Sequence, residues 1–489
     1  MEEGHEQFQL RKQKLSYLRE KGINPYPYTY DKKNNATDIL EEFSKLKNHE
    51  KTSKKRKVAG RILTFRKMGK VSFLTIQDQT GKLQLYASEE KLGKEVYKIL
   101  TKFDLGDIIG TEGTVFRTKR GEITLEIKTY ELLSKSLRPL PSKWHGLKDD
   151  EIKYRQRYVD FIVNQNVKDV FLKRDKIMRL TRDYLSKRGF IETDVPTLQT
   201  IYGGAKARPF KTHINAWDID LFLSISPELY LKRLLVGGFE KVYFLGKSFR
   251  NEGVDRTHNP EFTMLELYWA YKDYNDIMKL TEELISFLAK EVTGSTKVEY
   301  QGKSIDFKTP WKRMTMREAI KKYGKIDVDK LSDSEIKKLL KKYKIEQAKF
   351  SRGWAINDLF EELVEEKLVQ PTFITDYPKE TSPLCKEKRG DSKLIERFEF
   401  FFNGHEVGNA YSELNDPLIQ NELLKDQEKQ RKGGDDEANP MDKDFVRALE
   451  YGMPPAGGLG VGIDRVIMLL TNSKSLRDVI LFPIMRPEK

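Results

Sequence analysis

The stretch of sequence that decides the fold is KVYFLGKSFRNEGVDRTHNPEFTMLELYWAYK, residues 241–272. Residues 242–250 are rich in aromatic and branched side chains, residues 251–260 are polar, and residues 261–271 are apolar again. This order predicts two antiparallel strands joined by a long loop. Because successive side chains of a strand point to opposite faces, the hairpin also sorts its charged residues by face.

One face of this hairpin collects charged and aromatic side chains. Arg250 and Glu252 share a face at the end of the first strand, and Phe262, Glu266 and Tyr268 share one on the return strand. A solvated sheet surface could carry the same mixture. The surrounding apolar residues favour burial instead, where an unpaired charge is strongly unfavourable. The hairpin is therefore a candidate functional site.

The sequences FRNE at residues 249–252 and HNPEF at residues 258–262 resemble motif 2 of the class II aminoacyl-tRNA synthetases, in the form of the lysyl-tRNA synthetases of subclass IIb. The resemblance implies that Arg250 holds the α-phosphate of ATP and the carboxylate of the amino acid, a task for a rigid two-pronged donor. It implies that Glu252 binds the adenine amino group and that Phe262 stacks on adenine. His258 and Asn259 belong to the same implied ATP site.

Composition limits the class of protein. A chain of 489 residues with 38% hydrophobic content should form two or more domains. Its one cysteine, Cys385, excludes a disulfide framework and a cysteine-based zinc site. No apolar run approaches the ~20 residues of a membrane span, and the N-terminus lacks a signal peptide, so we expect no membrane and a cytoplasmic location. The net charge of +14 suggests a polyanionic partner, although a lysine-rich proteome gives the same sign.

The N-terminal part predicts a helix, a linker and a small barrel. Residues 1–57 combine a short helix with a basic run, and eleven Lys or Arg lie between residues 45 and 70 against one acid, Glu50. That run is expected to be a solvated linker or a phosphate contact. Residues 58–135 contain five short alternating strands separated by glycine-containing turns, which predicts an OB-fold.

The barrel sequence GRILTFRKMGKVSFLTIQD resembles the anticodon-binding domain of the same family. The resemblance implies that Arg66, Phe73 and Gln84 bind the tRNA anticodon, with Glu122 as a fourth residue. Such barrels present strands to single-stranded nucleic acid, and aromatic rings stack on its bases. On position alone, Phe73 could equally be a core residue of the barrel.

Residues 136–157 contain two prolines and a glycine and predict a connector to a second domain, residues 158–489. Its start, about 167–196, shows helical spacing over residues 166–187 and then a strand ending at Pro196. This pair resembles motif 1, which implies a homodimer interface. Together the motifs imply an α+β protein, an N-terminal OB-fold β-barrel followed by a class II synthetase domain whose antiparallel β-sheet is flanked by helices.

The implied lysine pocket draws on several segments. The sequence SPELY at residues 226–230 resembles the segment whose glutamate binds the α-amino group of lysine, which implies that role for Glu228, with Gly204 supplying a backbone carbonyl. A buried cation needs opposite charge and hydrogen bonds. The remaining implied pocket residues are Glu266, Tyr268, Asn409, Tyr411 and Glu413, besides Arg250.

RFEFFFNGHEVGNAYSE, residues 397–413, predicts a tight hairpin at Asn403-Gly404. Phe402 should then face His405 and Phe401 should face Glu406, which brings Glu399 to the face of Glu406. Two carboxylates without a basic neighbour predict a hard-cation site, and the resemblance implies Mg²⁺ and ATP there. Asn409, Tyr411 and Glu413 reach the same face only if the strand shifts by one residue, so we expect a bulge near Gly408.

GLGVGIDRVIMLL, at residues 458–470, predicts a glycine-rich strand that feeds a helix. It does not match the dinucleotide or Walker A fingerprints. It resembles motif 3, at about 457–471, which implies that Arg465 binds the γ-phosphate and that glycines such as Gly462 leave room for the nucleotide. Family members often place an arginine directly before the motif 2 histidine, where this chain has Thr257 after Arg256.

The resemblance spans about residues 7–487 and implies a lysine–tRNA ligase that uses ATP, Mg²⁺ and tRNA(Lys), with Arg250 and Arg465 as catalytic residues. A synthetase for aspartate or asparagine is the nearest alternative, but its pocket would be basic or neutral, whereas Glu266 and Glu413 are acidic. An enzyme that adds lysine to proteins would lack the barrel. A non-catalytic relative should have lost Arg250, Glu406 or Arg465, and all are present.

Overall fold

The computed structural model describes residues 2–141, 147, 149–347 and 349–488, with side chains from residue 5 onward. It divides into two compact units, residues 1–148 and 149–489. Part of the predicted connector, residues 142–146 and 148, lies outside the described residues. Over the part of the chain that is described, no helix combines the length and apolar composition needed to cross a membrane.

Unit 1 is a closed β-barrel with short helices. Its described strands follow the order β1-β2-β3-β5-β4 around the barrel. The strands are β1 (Lys51–Met68), β2 (Val71–Gln77), β3 (Lys82–Ser88), β4 (Ile108–Arg117) and β5 (Ile123–Ser134). The helices are α1 (Glu2–Glu20), α2 (Ala36–Glu42), α3 (Glu89–Leu92) and α4 (Lys94–Leu100). The predicted N-terminal barrel and helix are confirmed.

The barrel core follows the period-two pattern of the sequence. Along β2, Leu74 and Ile76 are buried, whereas Phe73 and Thr75 are only half-buried on the opposite face. Leu18 of α1 and Ile39 of α2 join the same core. Phe73 is not part of this core, so the interpretation of Phe73 as a core residue is wrong.

The prediction of a solvated linker for the basic run is wrong in part, because residues from 51 onward belong to β1. Lys55 to Arg61 pair antiparallel with Thr114 to Ile108 of β4. Strand pairing uses backbone groups and needs no apolar side chain where both faces are open to water. The side chains of Lys51, Lys54 and Lys55 are exposed to water, so their charges are compatible with a strand in this segment.

Unit 2 is built on a large, mostly antiparallel sheet. Within the described residues it has nine strands, in the order β14-β15-β17-β18-β19-β11-β10-β6, with β16 beside β17. The strands of the unit are β6 (Ile191–Glu192), β7 (Leu198–Gln199), β8 (Lys211–Ile214), β9 (Ile219–Leu223), β10 (Lys241–Phe249), β11 (Glu261–Ala270), β12 (Lys297–Tyr300), β13 (Lys303–Asp306), β14 (Lys312–Thr315), β15 (Thr372–Pro378), β16 (Glu387–Lys388), β17 (Asp391–Phe402), β18 (His405–Ser412) and β19 (Ala456–Gly462).

Helices cover this sheet, and the predicted α+β architecture is confirmed. They are α5 (Asp150–Arg155), α6 (Arg157–Val163), α7 (Gln165–Ser186), α8 (Glu228–Val236), α9 (Tyr274–Thr293), α10 (Met316–Ala319), α11 (Asp333–Lys342), α12 (Arg352–Leu363), α13 (Pro417–Lys432), α14 (Lys443–Glu450), α15 (Ile463–Leu470) and α16 (Leu476–Val479). One large apolar core contains residues of α7, α9 and α15, and a second contains residues of α8, α12 and α14.

Both predicted hairpins are present. β10 and β11 pair antiparallel, with Phe249 opposite Glu261. β17 and β18 meet at Asn403 and Gly404, which both have positive φ (51° and 75°), as a tight two-residue turn requires. Phe402 faces His405 and Phe401 faces Glu406, but Phe400 faces Gly408, so Val407 is the extra residue of a bulge. The predicted bulge is confirmed.

The helix of the predicted motif 1 is α7, and Gly189 follows it with a φ of +81°. The strand after it is shorter than the sequence predicts. Only Ile191 and Glu192 pair with the main sheet, parallel to Val242 and Tyr243 of β10. Pro196 lies beyond this strand and cannot donate a backbone hydrogen bond to extend it.

The placement of Phe73 outside the core predicts how the barrel responds to truncation. Phe73→Ala should change the free energy of unfolding by only about 0.5 kcal/mol, as for a surface site. Leu74→Ala, the matched change at a fully buried neighbour, should lose roughly 2 to 5 kcal/mol. Hydrogen exchange of residues 71–88 across a urea series measures both. Equal destabilisation by the two changes would contradict the placement.

Candidate active site and barrel surface

The candidate active site lies on one face of the main sheet, where two adjacent rows of residues cross three strands. In the first row Asn409 of β18, Gly460 of β19 and Glu266 of β11 are direct partners. In the second row the partners are Tyr411, Gly458 and Tyr268. The rows are two residues apart on every strand, so all these side chains project from the same face.

A cavity of about 440 Å³ opens over this face. Its wall contains every residue that the sequence predicted for the catalytic, lysine, ATP and metal sites. These are Gly204, Glu228, Arg250, Glu252, His258, Asn259, Phe262, Glu266, Tyr268, Glu399, Glu406, Asn409, Tyr411, Glu413, Gly462 and Arg465. Residues separated by up to 261 positions in sequence, Gly204 and Arg465, thus line one space.

One end of the cavity is acidic. Tyr411 Oη donates to Glu228 Oε1 over 2.6 Å, and Ser226 Oγ donates to Glu266 Oε1 over 2.9 Å. Glu413 is fully buried, and its carboxylate lies 2.5 Å from the ammonium nitrogen of Lys232. Carboxylates in this state favour a cation with several donors, such as an ammonium group.

The charge state of these acids reflects their burial. Burial raises the pKa of Glu266 to about 8, and the Glu228 carboxylate adds to the shift. Burial also raises the pKa of Glu413 to about 8, although the ammonium of Lys232 opposes that shift. A cationic ligand in the cavity would favour the ionised form of both acids.

Lys232 is a site residue that the sequence analysis did not find. Its Nζ lies 2.6 Å from Glu228 Oε1 and 2.5 Å from Glu413 Oε2, and its side chain is fully buried. The signal was present in the sequence, because Lys232 follows Glu228 by four residues and such residues are neighbours on a helix.

Arg250 also lines the cavity. Its guanidinium carbon is 5.2 Å from the ring centroid of Phe262, and its Nε has no hydrogen-bond partner within the described part of the chain. Burial lowers the pKa of Arg250, while the carboxylates of Glu252, Glu266 and Glu406 oppose the shift. A desolvated guanidinium with an unused donor is prepared to bind an anion.

The motif 2 loop is ordered by Asp255. Its Oδ1 accepts from the backbone N–H of Thr257 over 2.6 Å and from that of His258 over 2.8 Å, and the His258 ring bonds to Oδ2. Burial alone would raise the pKa of Asp255, but hydrogen bonds from His258 and Thr257 lower it to about 2. Thr257 therefore positions the loop, and exposed Arg256 anchors it by accepting the N–H of Leu476 at its carbonyl.

Glu252 is exposed at the rim of the cavity, whereas Asn259 is buried. Asn259 Nδ2 donates to the carbonyl of Glu261 over 2.5 Å, and its Oδ1 has no donor among the described residues. Glu252 and Asn259 therefore can serve different roles. Glu252 can reach a ligand from solvent, and Asn259 shapes the end of the loop.

Glu399 and Glu406 converge as predicted, but the expectation that they have no basic neighbour is wrong. Arg397 Nη2 donates to Glu399 Oε1 over 2.6 Å, and Arg465 Nη1 lies 3.8 Å from Glu406 Oε2. Arg397 shares a strand face with Glu399 because it precedes it by two residues. Burial raises the pKa of Glu399 to about 7, which Arg397 opposes and the Glu406 carboxylate reinforces.

These acids fit a magnesium ion that also binds a substrate. Among the described residues, no group of three or more His, Cys, Asp or Glu is arranged to hold a metal by itself. Mg²⁺ at phosphate-binding sites commonly uses only one or two carboxylates together with substrate oxygens. The pKa of Glu399 is raised first by burial and also by the Glu406 carboxylate, and a divalent cation between the two acids would favour their ionised forms.

Two glycines are required by close approaches in the cavity wall. Gly204 has a φ of +87°, and a Cβ there would lie 2.9 Å from both Ser226 Oγ and Glu228 Cβ. A Cβ at Gly458 would lie 2.0 Å from Glu413 Oε1 and 2.5 Å from the Tyr268 ring. The glycine-rich strand therefore makes room for the acidic end of the cavity as well as for a ligand.

Asp464 connects the three predicted motifs. Its Oδ2 accepts the backbone N–H of Thr263 over 2.7 Å, and its Oδ1 accepts from Arg174 of α7. Arg174 also donates to Thr263 Oγ1 over 2.7 Å. A single buried carboxylate thus ties the motif 1 helix, the motif 2 strand and the motif 3 helix together.

A segment without predicted chemistry also reaches the cavity. Trp354 of α12, within residues 297–368, lies in the cavity wall beside Lys206, whose Nζ is 5.0 Å from the indole ring centroid. No local motif marked this tryptophan. Its position depends on how α12 packs on the sheet, which periodicity does not specify.

The predicted anticodon residues lie on the outer face of the barrel. Arg66 and Phe73 are direct partners on β1 and β2, and Gln84 Nε2 donates to Thr124 Oγ1 over 2.8 Å. Glu122 is exposed just before β5. The sequence analysis missed Tyr86, whose ring centroid is 5.2 Å from that of Phe73, although its two-residue spacing from Gln84 put it on the same face.

The comparison with known families agrees with this geometry. The family described as tRNA synthetases class II (D, K and N) matches residues 149–486, and the OB-fold nucleic acid binding domain family matches residues 57–133. The chain belongs to the class II tRNA synthetases.

Full-length relatives specify the type. A lysine–tRNA ligase of Pelotomaculum thermopropionicum is 53% identical, covering 100% of this chain and 96% of the relative. Lysine–tRNA ligases of Clostridium novyi and Clostridium perfringens are 52% and 51% identical, covering 98% and 99% of this chain and 94% and 97% of the relatives. Within its class, the chain falls in the lysine–tRNA ligase family.

The role of Asp464 predicts a stability effect. Asp464→Asn removes the charge that balances Arg174 and should destabilise unit 2 by roughly 3 to 5 kcal/mol, as for a buried ion pair that loses one partner. Arg179→Ala, which breaks the exposed Arg179–Asp175 pair on the same helix, should lose at most about 1 kcal/mol. Urea unfolding followed by tryptophan fluorescence measures both. Similar midpoints for the two variants would contradict the connecting role.

Proposed function

We infer that this protein is a lysine–tRNA ligase that activates L-lysine with ATP, releases pyrophosphate and transfers lysine to the 3′ end of tRNA(Lys). The observation that carries this inference is the acidic end of the cavity, where Glu228, Glu266 and Glu413 face a space beside Arg250. A ligand with two ammonium groups and one carboxylate complements that arrangement. The acidic cavity disfavours aspartate, and the barrel distinguishes the chain from a barrel-free lysine-adding enzyme.

The two substrates would meet at Arg250. We propose that Glu228 and the Gly204 carbonyl bind the α-amino group of lysine, and that the side-chain ammonium is held at the acidic end. The residues proposed for that end are Glu266, Tyr268, Asn409, Tyr411 and Glu413. Because Arg250 has an unused donor, lies beside Phe262 and lines the same cavity as these acids, it can hold the lysine carboxylate against the α-phosphate of ATP.

The reaction needs no side-chain nucleophile. The lysine carboxylate attacks the α-phosphate in line, and the bond to pyrophosphate breaks. The terminal ribose hydroxyl of tRNA then attacks the lysyl carbonyl, and AMP leaves. Catalysis would come from positioning by Arg250 and from charge stabilisation by Arg250 and Arg465.

For ATP, we propose that adenine stacks on Phe262 beside Glu252, that His258 and Asn259 hold the loop against the nucleotide, and that Arg465 binds the γ-phosphate near Gly462. His258 Nε2 lies 3.4 Å from Arg465 Nη2, which brings loop and helix together. Glu399 and Glu406 would hold Mg²⁺. The ion would neutralise the phosphates, and the two acids would orient it.

The barrel would bind the anticodon. Phe73, Tyr86 and Phe116 form an aromatic row on the outer face of the barrel. The ring centroids of Phe73 and Tyr86 are 5.2 Å apart, and those of Tyr86 and Phe116 are 5.8 Å apart. Such rows stack on unpaired bases, and Arg66, Gln84 and Glu122 would bond to base edges. Exposed lysines of β1 beside Phe116, such as Lys51 at 5.6 Å from its ring centroid, would contact phosphates.

A homodimer through motif 1 is also proposed. Leu172 of α7 is 51% exposed, and Ile191 and Leu198 are 49% and 52% exposed. Exposed apolar side chains on one segment favour an interface. Sedimentation equilibrium would test this proposal, and a monomer at micromolar concentration would contradict it.

Protein synthesis would place the enzyme in the cytoplasm.

The function is tested most simply by amino-acid-dependent ATP–pyrophosphate exchange with each of the twenty amino acids. Lysine should support exchange without tRNA, and aspartate and asparagine should not. Charging of tRNA(Lys) should follow in the same preparation. Exchange with another amino acid and none with lysine would overturn the proposal.

Loss of one acid should weaken lysine binding specifically. Glu413→Gln or Glu266→Gln should lose roughly 2 to 5 kcal/mol of lysine binding, because a buried charge would be left without its partner. Titration calorimetry of lysine measures the loss. Glu422→Gln, at an exposed acid of α13, is the matched control and should bind lysine normally. Wild-type affinity in the Glu413 and Glu266 variants would refute the pocket assignment.

Anticodon stacking should be separable from the chemistry. Phe73→Ala should reduce tRNA charging by the loss of roughly 1 to 3 kcal/mol of stacking, while lysine-dependent exchange without tRNA stays normal. The measurement is charging at limiting tRNA beside exchange at saturating lysine. Unchanged charging in this variant would remove Phe73 from the anticodon site.

A further inference from the structure

Lys232 is enclosed by groups that suit an ammonium ion. Besides the carboxylates of Glu228 and Glu413, its Nζ lies 5.4 Å from the ring centroid of Tyr411 and 5.9 Å from that of Tyr268. Aromatic faces and carboxylates are the usual surroundings of a bound ammonium group. The protein's own lysine thus lies beside four of the residues that we propose for the substrate.

Lys232 nevertheless does not occupy the substrate space. All four of its neighbours belong to the cavity wall, whereas Lys232 does not, and its side chain is wholly inaccessible. It therefore meets the carboxylates from the side of α8, behind the wall. The contact is available whether or not a ligand fills the cavity.

The charges of this region match lysine only when Lys232 is included. Three buried carboxylates, Glu228, Glu266 and Glu413, face the acidic end. When all three acids are ionised, as a bound cation favours, one internal ammonium leaves two negative charges, which equals the number of ammonium groups on lysine. Arg250 is then free for the substrate carboxylate. Buried charges are tolerated when they are balanced and strongly unfavourable when they are not.

We propose that Lys232 is a positioning residue for lysine selection, an internal counter-ion that holds the carboxylates of Glu228 and Glu413 in place for the two ammonium groups of the substrate. This inference rests on the proposed function and extends it. Lys232 does not touch the substrate. It acts through the two carboxylates, and chiefly through Glu413, because Glu228 also accepts a hydrogen bond from Tyr411.

Protonation is the alternative way to neutralise these acids, which gives the proposal a measurable consequence. Burial raises the pKa of Glu413 to about 8 even with Lys232 in place, so removal of the ammonium should raise it further. For Lys232, burial acts to lower the pKa, but the two carboxylates outweigh it and keep the ammonium charged. The other titratable groups around Glu413 are Glu228, Glu266, Tyr268, Cys385 and Tyr411.

The test measures the lysine KM of full-length Lys232→Met in ATP–pyrophosphate exchange between pH 6.5 and 9.5. Because lysine binds the ionised form of Glu413, the ratio of the variant KM to the wild-type KM, in which the ionisation of free lysine cancels, follows the change in the pKa of that carboxyl. This ratio should be at least tenfold at pH 7 and should fall as the pH rises above 8. The KM for ATP should stay within twofold of the wild-type value.

Lys135→Met is the matched control. Lys135 is also a fully buried lysine between two carboxylates, 2.7 Å from Asp104 Oδ2 and 2.9 Å from Asp107 Oδ1, but it belongs to unit 1. Its loss should leave the lysine KM and its pH profile unchanged. A Lys232 variant with a wild-type lysine KM, or with a KM raised by the same factor at every pH, would overturn the proposal, because the latter describes a merely structural defect.

A double variant decides the matter if Lys232→Met does not fold. Lys232→Met with Glu413→Gln removes the ammonium and one of its two carboxylates, and it should fold better than the single change, since one fewer unpaired buried carboxylate remains. Its lysine KM should lie within threefold of that of Glu413→Gln alone, because Lys232 acts through Glu413. A much poorer double variant would overturn the proposal. Absence of lysine-dependent exchange in the wild type would instead refute the proposed function.

Discussion

The active site depends on the pairing register of three strands, β18, β19 and β11. That register sets Asn409, Gly460 and Glu266 in one row and Tyr411, Gly458 and Tyr268 in the next. A shift by one residue would turn every one of these side chains to the opposite face. The bulge at Val407 is part of the same constraint, since it brings Glu406 to the face occupied by the residues that follow.

Electrostatics explains why this face can select its ligand. Carboxylates of Glu266 and Glu413 are held where burial makes their charge unfavourable, and an ammonium ligand relieves that condition. Arg250 is the converse, a desolvated guanidinium with an unused donor. The site thus places buried groups of both charge signs at defined positions. A substrate with charges of the opposite signs at those positions should therefore bind more tightly than a neutral one.

Much of this arrangement could be predicted from sequence, because it follows from short-range rules. The Asn403-Gly404 turn predicts one hairpin, and the alternation of side chains along its strands predicts which residues share a face. Because Glu406 and the residues from Asn409 onward share a face only if the strand shifts by one residue, a bulge could also be predicted. Lys232 and Arg397 were not predicted, although Lys232 follows Glu228 by four residues and Arg397 precedes Glu399 by two. Most lysines and arginines are exposed, and only the tertiary structure shows that these two are buried beside carboxylates. The strand at Lys51 and the placement of Trp354 depend on backbone pairing and packing partners, which local composition does not contain.

We propose that the sheet register, with a glycine at the crossing point, creates the lysine-binding end of the cavity. The most direct measurement compares the lysine KM of Gly458→Ala and Gly460→Ala. A Cβ at Gly458 would collide with Glu413 and Tyr268, whereas at Gly460 the nearest atom lies 3.5 Å away, an ordinary contact. The account predicts a lysine KM raised at least tenfold by Gly458→Ala and much less by Gly460→Ala. Equal lysine KM values for Gly458→Ala and the wild type would contradict it.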